Sequence, residues 1–341
     1  LWNTSAVPAG KYWIYAVVTD GQNENRCYST GPVIVDDGQM PVISLSKNVL
    51  YFGATYGGAA TAKEKILITN SGQGVLDWQA TKSASWINVS PSSGTGNAAI
   101  EISVNHSGLP AGSRSGTVTV SDPRAFNSPR TITVYLTVYS QGADAAPFGV
   151  IDTPVNGSTV YGSVPVTGWA LDDIQVSKVQ IKRTPHVDDA PGMVGPDGLI
   201  YIGEAVFVKG ARPDVASTYP LYPRSDTAGW GYMLLTNFLP RGGNGNYRLY
   251  AVAEDTCGRR TTLGWKDIVS DNASSTKPFG TVDTPAQGGL VSGRAYVNFG
   301  WALTPPPKEI PRDGSTMWVW IDSLPVGKPV YNQFRQDIYD L

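Results

Sequence analysis

Two histidines, six glutamates and two cysteines limit the chemistry open to this chain of 341 residues. His106 sits in Asn105-His-Ser-Gly108 and His186 in Thr184-Pro-His-Val-Asp-Asp189, both turn sequences. A catalytic triad or metal centre needs several such groups brought together in space. His186 with Asp188 and Asp189 is a poor donor set for a transition metal, and both histidines read as loop residues. Glycoside hydrolysis needs two carboxylates at a fixed separation in a cleft, and no pair stands out among the scattered glutamates. There is no Gly-x-Ser-x-Gly elbow, phosphate loop or haem-attachment motif. Asp36 and Asp37 offer the oxygen donors that calcium prefers, but they read as solvated linker charge. The expectation is a chain without catalytic residues, resident metal or cofactor.

The segment Lys209–Tyr232 is richer in contact chemistry. It carries Arg212-Pro-Asp214, Tyr219-Pro-Leu-Tyr222-Pro and Gly229-Trp-Gly-Tyr232. Aromatic rings held by neighbouring prolines make rigid platforms for sugar faces or protein partners. Tyr219, Tyr222, Trp230 and Tyr232 are therefore the candidate contact residues. Against this, Trp230 and Tyr232 also read as the start of a buried strand, with the tyrosine–proline pair covering a sheet edge. Arg212 with Asp214 recurs as Arg335 with Asp337, a spacing suited to pinning a loop.

Whatever positions these residues is built from strands. Gly (38) and Pro (25) together make up nearly a fifth of the chain and punctuate turns, while charged residues are only 16%. Most acidic residues are Asp, many in turn dipeptides such as Asp37-Gly38, Asp197-Gly198 and Asp313-Gly314. The net charge of −2 lacks the basic stripe that nucleic acid requires. No apolar run reaches the roughly 18 residues of a membrane helix. The fold class is all-β, as tandem Ig-like β-sandwich domains joined by short linkers.

Internal repeats set the organisation. Pro147-Phe-Gly-Val-Ile-Asp-Thr-Pro154 leads to Gly168-Trp169-Ala-Leu171, and Pro278-Phe-Gly-Thr-Val-Asp-Thr-Pro285 leads to Gly300-Trp301-Ala-Leu303. A second match relates Gly10-Lys-Tyr-Trp-Ile-Tyr-Ala-Val-Val-Thr-Asp20 to Gly245-Asn-Tyr-Arg-Leu-Tyr-Ala-Val-Ala-Glu-Asp255. Residues 1–38 thus read as the closing hairpin of one sandwich, 145–271 as a complete one, and 277–341 as the front of a further copy. Trp169 and Trp301 read as equivalent core anchors. Cys27 and Cys257 fall in different domains, which argues against a disulfide within either.

Between these lies a different module, residues 42–140, with period-two strands such as Thr131-Ile-Thr-Val-Tyr-Leu-Thr-Val138. It carries Leu50-Tyr-Phe52, Leu76-Asp-Trp78, Ser85-Trp86-Ile-Asn-Val-Ser90-Pro-Ser-Ser-Gly94-Thr95 and Arg114-Ser-Gly-Thr-Val-Thr-Val120. On these residues the segment resembles the BACON family, an Ig-like β-sandwich of bacterial surface and secreted proteins. The resemblance implies carriage on modular extracellular proteins, with a carbohydrate or mucin contact proposed for some members, and it transfers no binding residue. Trp86, ahead of the Ser-Pro-Ser-Ser-Gly turn, is expected to bury its ring between the sheets. The flanking repeat looks like the Ig-like modules of large bacterial surface proteins.

The function expected is a non-catalytic structural or adhesive module of a bacterial surface or filament protein, extracellular in location. Its partners would be other surface proteins or copies of itself joined head to tail, with no nucleic acid and no membrane span. The alternative is a carbohydrate-binding accessory region of a secreted glycoside hydrolase, with polysaccharide as partner.

Overall fold

The structure is a computed structural model that describes residues 6–8, 10–35, 40–285, 289, 291–293, 296–305 and 308–339. Strand accounts for 48% and helix for 8%, so the chain is all-β. It divides into two compact units, Leu1–Asp144 and Ala145–Leu341.

The first unit opens with short paired strands. β1 (Gly10–Tyr12) pairs with β4 (Val33–Val35), and β2 (Tyr15–Thr19) with β3 (Glu24–Tyr28), both antiparallel. A β-sandwich follows: β5 (Ile43–Leu45), β6 (Val49–Thr55), β7 (Glu64–Asn70), β8 (Asp77–Lys82), β9 (Ile87–Ser90), β10 (Ser93–Thr95), β11 (Ala98–Val104), β12 (Gly112–Ser121) and β13 (Arg130–Tyr139). A five-stranded sheet, ordered β10-β8-β12-β13-β6, belongs with a four-stranded one, ordered β5-β7-β11-β9. Alternation selects the core: along β13, Ile132, Val134, Leu136 and Val138 point inward and the residues between them outward. They meet Ile66, Ile68, Ile100 and Ile102, all fully buried, from the other sheet.

Trp78, not Trp86, fills this core. Its ring is 1% exposed and lies against Gly94, its cross-strand partner, where a Cβ would come within 2.5 Å of the indole. A glycine facing a large aromatic ring across a strand pair lets the ring cover the bare backbone. Ile87 takes the inward position next to Trp86, so alternation leaves Trp86 half-buried at the rim of the core.

The second unit contains β14 (Phe148–Thr153), β15 (Ser158–Val160), β16 (Ser163–Leu171), β17 (Val176–Arg183), β18 (Ile200–Phe207), β19 (Gly229–Leu235), β20 (Asn244–Asp255) and β21 (Arg260–Asp271), with a short helix α1 (Pro213–Thr218). They run in one continuous order, β14-β16-β19-β18-β17-β20-β21-β15. β18 joins the two faces: its main length pairs with β17, while Val206 and Phe207 at its end pair with β19. The core between holds Val166, Val179, Ile181, Trp230, Leu249, Ala251 and Ile268. Trp230 repeats the arrangement at Trp78, its ring lying over its cross-strand partner Gly168.

Further along, β22 (Phe279–Val282) pairs with β23 (Gly300–Leu303), and β24 (Val319–Ile321) with β25 (Leu324–Gly327). The first of these pairs repeats β14–β16 residue for residue: Phe148↔Leu171 and Gly149↔Ala170 become Phe279↔Leu303 and Gly280↔Ala302. The repeat seen in the sequence is thus a repeat of strand register.

Candidate functional site

The four aromatic residues marked in the sequence do not form one surface. Val164, Val166, Gly168 and Ala170 take the inward positions of β16, which turns Trp169 to the outer side. There Trp169, Phe148, Tyr219 and Tyr222 pack around Leu171, Val215 and Ala228 in a small outer core beneath α1. Trp169 therefore anchors this outer core and not the space between the sheets. Phe148 is at its centre, with ring centroids 5.7 Å from Trp169, 5.4 Å from Tyr219 and 5.2 Å from Tyr222, all edge-on. Tyr219 and Tyr222 are half-buried and lie edge-on to each other at 5.8 Å. Phe279 and Trp301 of the second copy keep the same right-angled contact at 6.1 Å.

Trp230 and Tyr232 are corrected as contact residues. Trp230 is 2% exposed and belongs to the main core. Tyr232 packs against that core with its ring over Gly203, where a Cβ would approach to 2.4 Å, and burial pushes its phenol pKa up. The inward turn of alternate residues on β19 places both there.

The recurring arginine clamps the module. Arg212 donates from Nε and Nη2 to both carboxylate oxygens of Asp214 (2.9 and 2.7 Å) and from Nη1 to Asp152 (2.5 Å). Asp152 lies in the Asp-Thr-Pro motif of β14, so the clamp ties the loop before α1 to the first strand. Hydrogen bonding to Arg212 holds the Asp214 carboxyl down to about 2. Arg335 makes the same contacts to Asp337 (2.7 and 2.5 Å) and to Asp283 (2.8 Å). The motif threonines match as well: Thr153 Oγ1 donates to the Pro165 carbonyl and accepts from Thr167 N, as Thr284 does with Val297 and Phe299.

The groups around His186 are committed to structural pairs. Asp189 accepts two hydrogen bonds from the buried Arg183 guanidinium and one from the His186 backbone N–H, while Asp188 lies 3.2 Å from His186 Nδ1 and accepts from Arg241. His106 Nε2 lies 3.1 Å from the Gly58 carbonyl. Among the described residues, no three His, Cys, Asp or Glu side chains gather as a metal site. Asp36 and Asp37 lie outside the described residues. Cys27 and Cys257 are both exposed.

One surface went unmarked in the sequence. Register places Tyr201 of β18 opposite Lys182 of β17, Lys182 opposite Tyr250 of β20, and Tyr250 opposite Trp265 of β21. Residues opposite one another share a face. Since Ile181, Leu249 and Ala251 face the core, this row stands on the outer side. Tyr201 is 51% and Trp265 54% exposed. Next along β20 and β21, Arg248 donates two hydrogen bonds to Asp267 (2.7 and 2.9 Å), with its guanidinium 5.6 Å from the Trp265 ring centroid. The row borders an open depression of about 460 Å³ lined by Asn246, Arg248, Asp267 and Thr184 among others.

The family model for the viral BACON domain matches residues 42–139. No curated protein matches the sequence. Among solved structures, the chain is similar to an endo-beta-1,4-mannanase from Thermotoga petrophila (12% identity, 38% of this chain and 20% of that one, TM-score 0.25). It is also similar to a GH5 xyloglucanase from Bacteroides ovatus (22% identity, 36% and 27%, TM-score 0.25). A third likeness is to the fibronectin(III)-like modules of Clostridium thermocellum CbhA (16% identity, 68% and 95%, TM-score 0.24). The matches span 20% and 27% of the two enzymes' own chains.

Proposed function

With residues 42–139 a BACON-like domain, we propose that this chain is a non-catalytic structural and adhesive part of a modular protein at the bacterial cell surface. The observation that carries this reading is the duplicated module. The strand register and the Phe–Trp contact of 148–171 recur at 279–303, and the clamp of Arg212 on Asp152 and Asp214 recurs as Arg335 on Asp283 and Asp337. Serial copies of one sandwich suit a task of reach and spacing, since each copy repeats the contacts that hold it together. Among the described residues, no helix is long and apolar enough to cross a membrane.

The partners on this reading are other surface proteins and further copies of the same module type. Ile14 and Val18 support the second. They stand where the complete module has Leu249 and Ala253, both 0% exposed, yet are themselves 41% and 64% exposed. Strands equivalent to those around Leu249 would cover them.

Surface placement is tested by treating intact source cells with protease and probing with an antibody against this chain. The antigen is expected to disappear while a cytoplasmic marker survives. Antigen that resists until lysis contradicts the proposal.

A further inference from the structure

The outer face of β18, β17, β20 and β21 has the composition of a ligand surface. Tyr201, Tyr250 and Trp265 cross four adjacent strands, about 14 Å at roughly 4.8 Å per strand spacing. Strands pair on both sides of β17 and β20; Lys182, at the middle of the row, is 8% exposed and Tyr250 is half-buried, so the open parts of the row are at Tyr201 and Trp265.

Its electrostatics narrow the choice of ligand. The cations on the face are paired: Lys182 with Asp197 at 2.6 Å, and Arg248 with Asp267 through two hydrogen bonds. Each pair is neutral in sum and still has polar edges to offer. A nucleic acid would need an excess of cations. A protein partner of ordinary affinity would want a contiguous apolar patch at the centre, and here the rings are interleaved with charged pairs. Rings with apolar faces, set among polar groups of no net charge, match a molecule with an apolar C–H face and a rim of hydroxyls. We infer that this face binds a neutral polysaccharide, with Trp265 and Tyr250 stacking on pyranose rings and Arg248, Asp267 and Asn246 hydrogen-bonding hydroxyls in the adjoining depression.

This site adds a ligand to the surface-module reading and does not depend on it. It lies on the module 145–271, outside the BACON-like domain.

The test is affinity electrophoresis of the whole chain in gels containing neutral α- and β-linked glucans and mannans, with an anionic polyuronate as the charge control. At least one neutral glycan should retard the wild type. Trp265→Ala should weaken that retardation about tenfold or more, as truncating a central aromatic contact does, and Tyr250→Ala should weaken it too. Tyr250→Phe should keep most of it. Because Trp265 points outward, the midpoint of thermal unfolding should not move appreciably, which separates lost binding from lost folding. Retardation by the polyuronate alone, by no glycan, or undiminished in the Trp265→Ala, Tyr250→Ala double variant would overturn the inference. None of these outcomes bears on the protease test of surface placement.

Discussion

Asp172 is a carboxyl placed where a charge is costly. It is 2% exposed, and its Oδ2 accepts from the N–H groups of Ile174 and Gln175 at 2.9 Å each. Burial, together with the charges of Asp173 and Asp255, pushes its pKa from 3.8 up to about 6. The folded protein therefore holds a proton that the unfolded chain releases near pH 4. This contribution to stability is full below that pH and is lost as pH rises through about 6. Asp172→Asn keeps an oxygen for the two N–H groups and removes the charge. Urea unfolding at pH 4 to 8 should show wild-type stability falling relative to the variant by on the order of 2 kcal/mol. Parallel curves would show that the proton is not held.

At the scale of elements, register decides what each side chain can do. Gly168 faces both a carbonyl and an indole: an added Cβ would lie 2.1 Å from the Val150 oxygen and 2.5 Å from Trp230. The first of these is backbone and cannot swing aside. Gly168→Ala should therefore cost about 3 kcal/mol, measured by denaturant unfolding, and an unchanged midpoint would contradict the described β14–β16–β19 packing. Strand identity was legible in the sequence because period-two runs such as Ile132, Val134 and Leu136 announce a half-buried strand. The Arg–Asp spacing likewise announced a pin, although its third member, Asp152, lies 60 residues away in sequence and is joined only by folding. Face was less legible. Trp86 and Trp169 look like core residues by type, and only the inward turn of Ile87 and Gly168 shows them displaced. The row of Tyr201, Tyr250 and Trp265 was hidden for a related reason. It is assembled from three strands, and irregularities at Ile181/Lys182 and Ala251/Val252 shift which residues face outward. Sequence spacing does not reveal such a bulge.

At the scale of the whole molecule, each of the two large cores is closed within its own stretch of chain. The BACON-like core draws on residues from Ile43 to Val138, and the second core on residues from Ile151 to Ile268. Chain reversals and linkers then carry the exposed backbone. Limited proteolysis of the native chain, with fragments identified by mass, tests this most directly. Early cleavage is expected between Ser140 and Ala146, leaving two resistant fragments, one bounded near residues 42–140 and the other near 145–271. Early cleavage within β6–β13 or β16–β21, or one resistant body spanning both fragments, would contradict it.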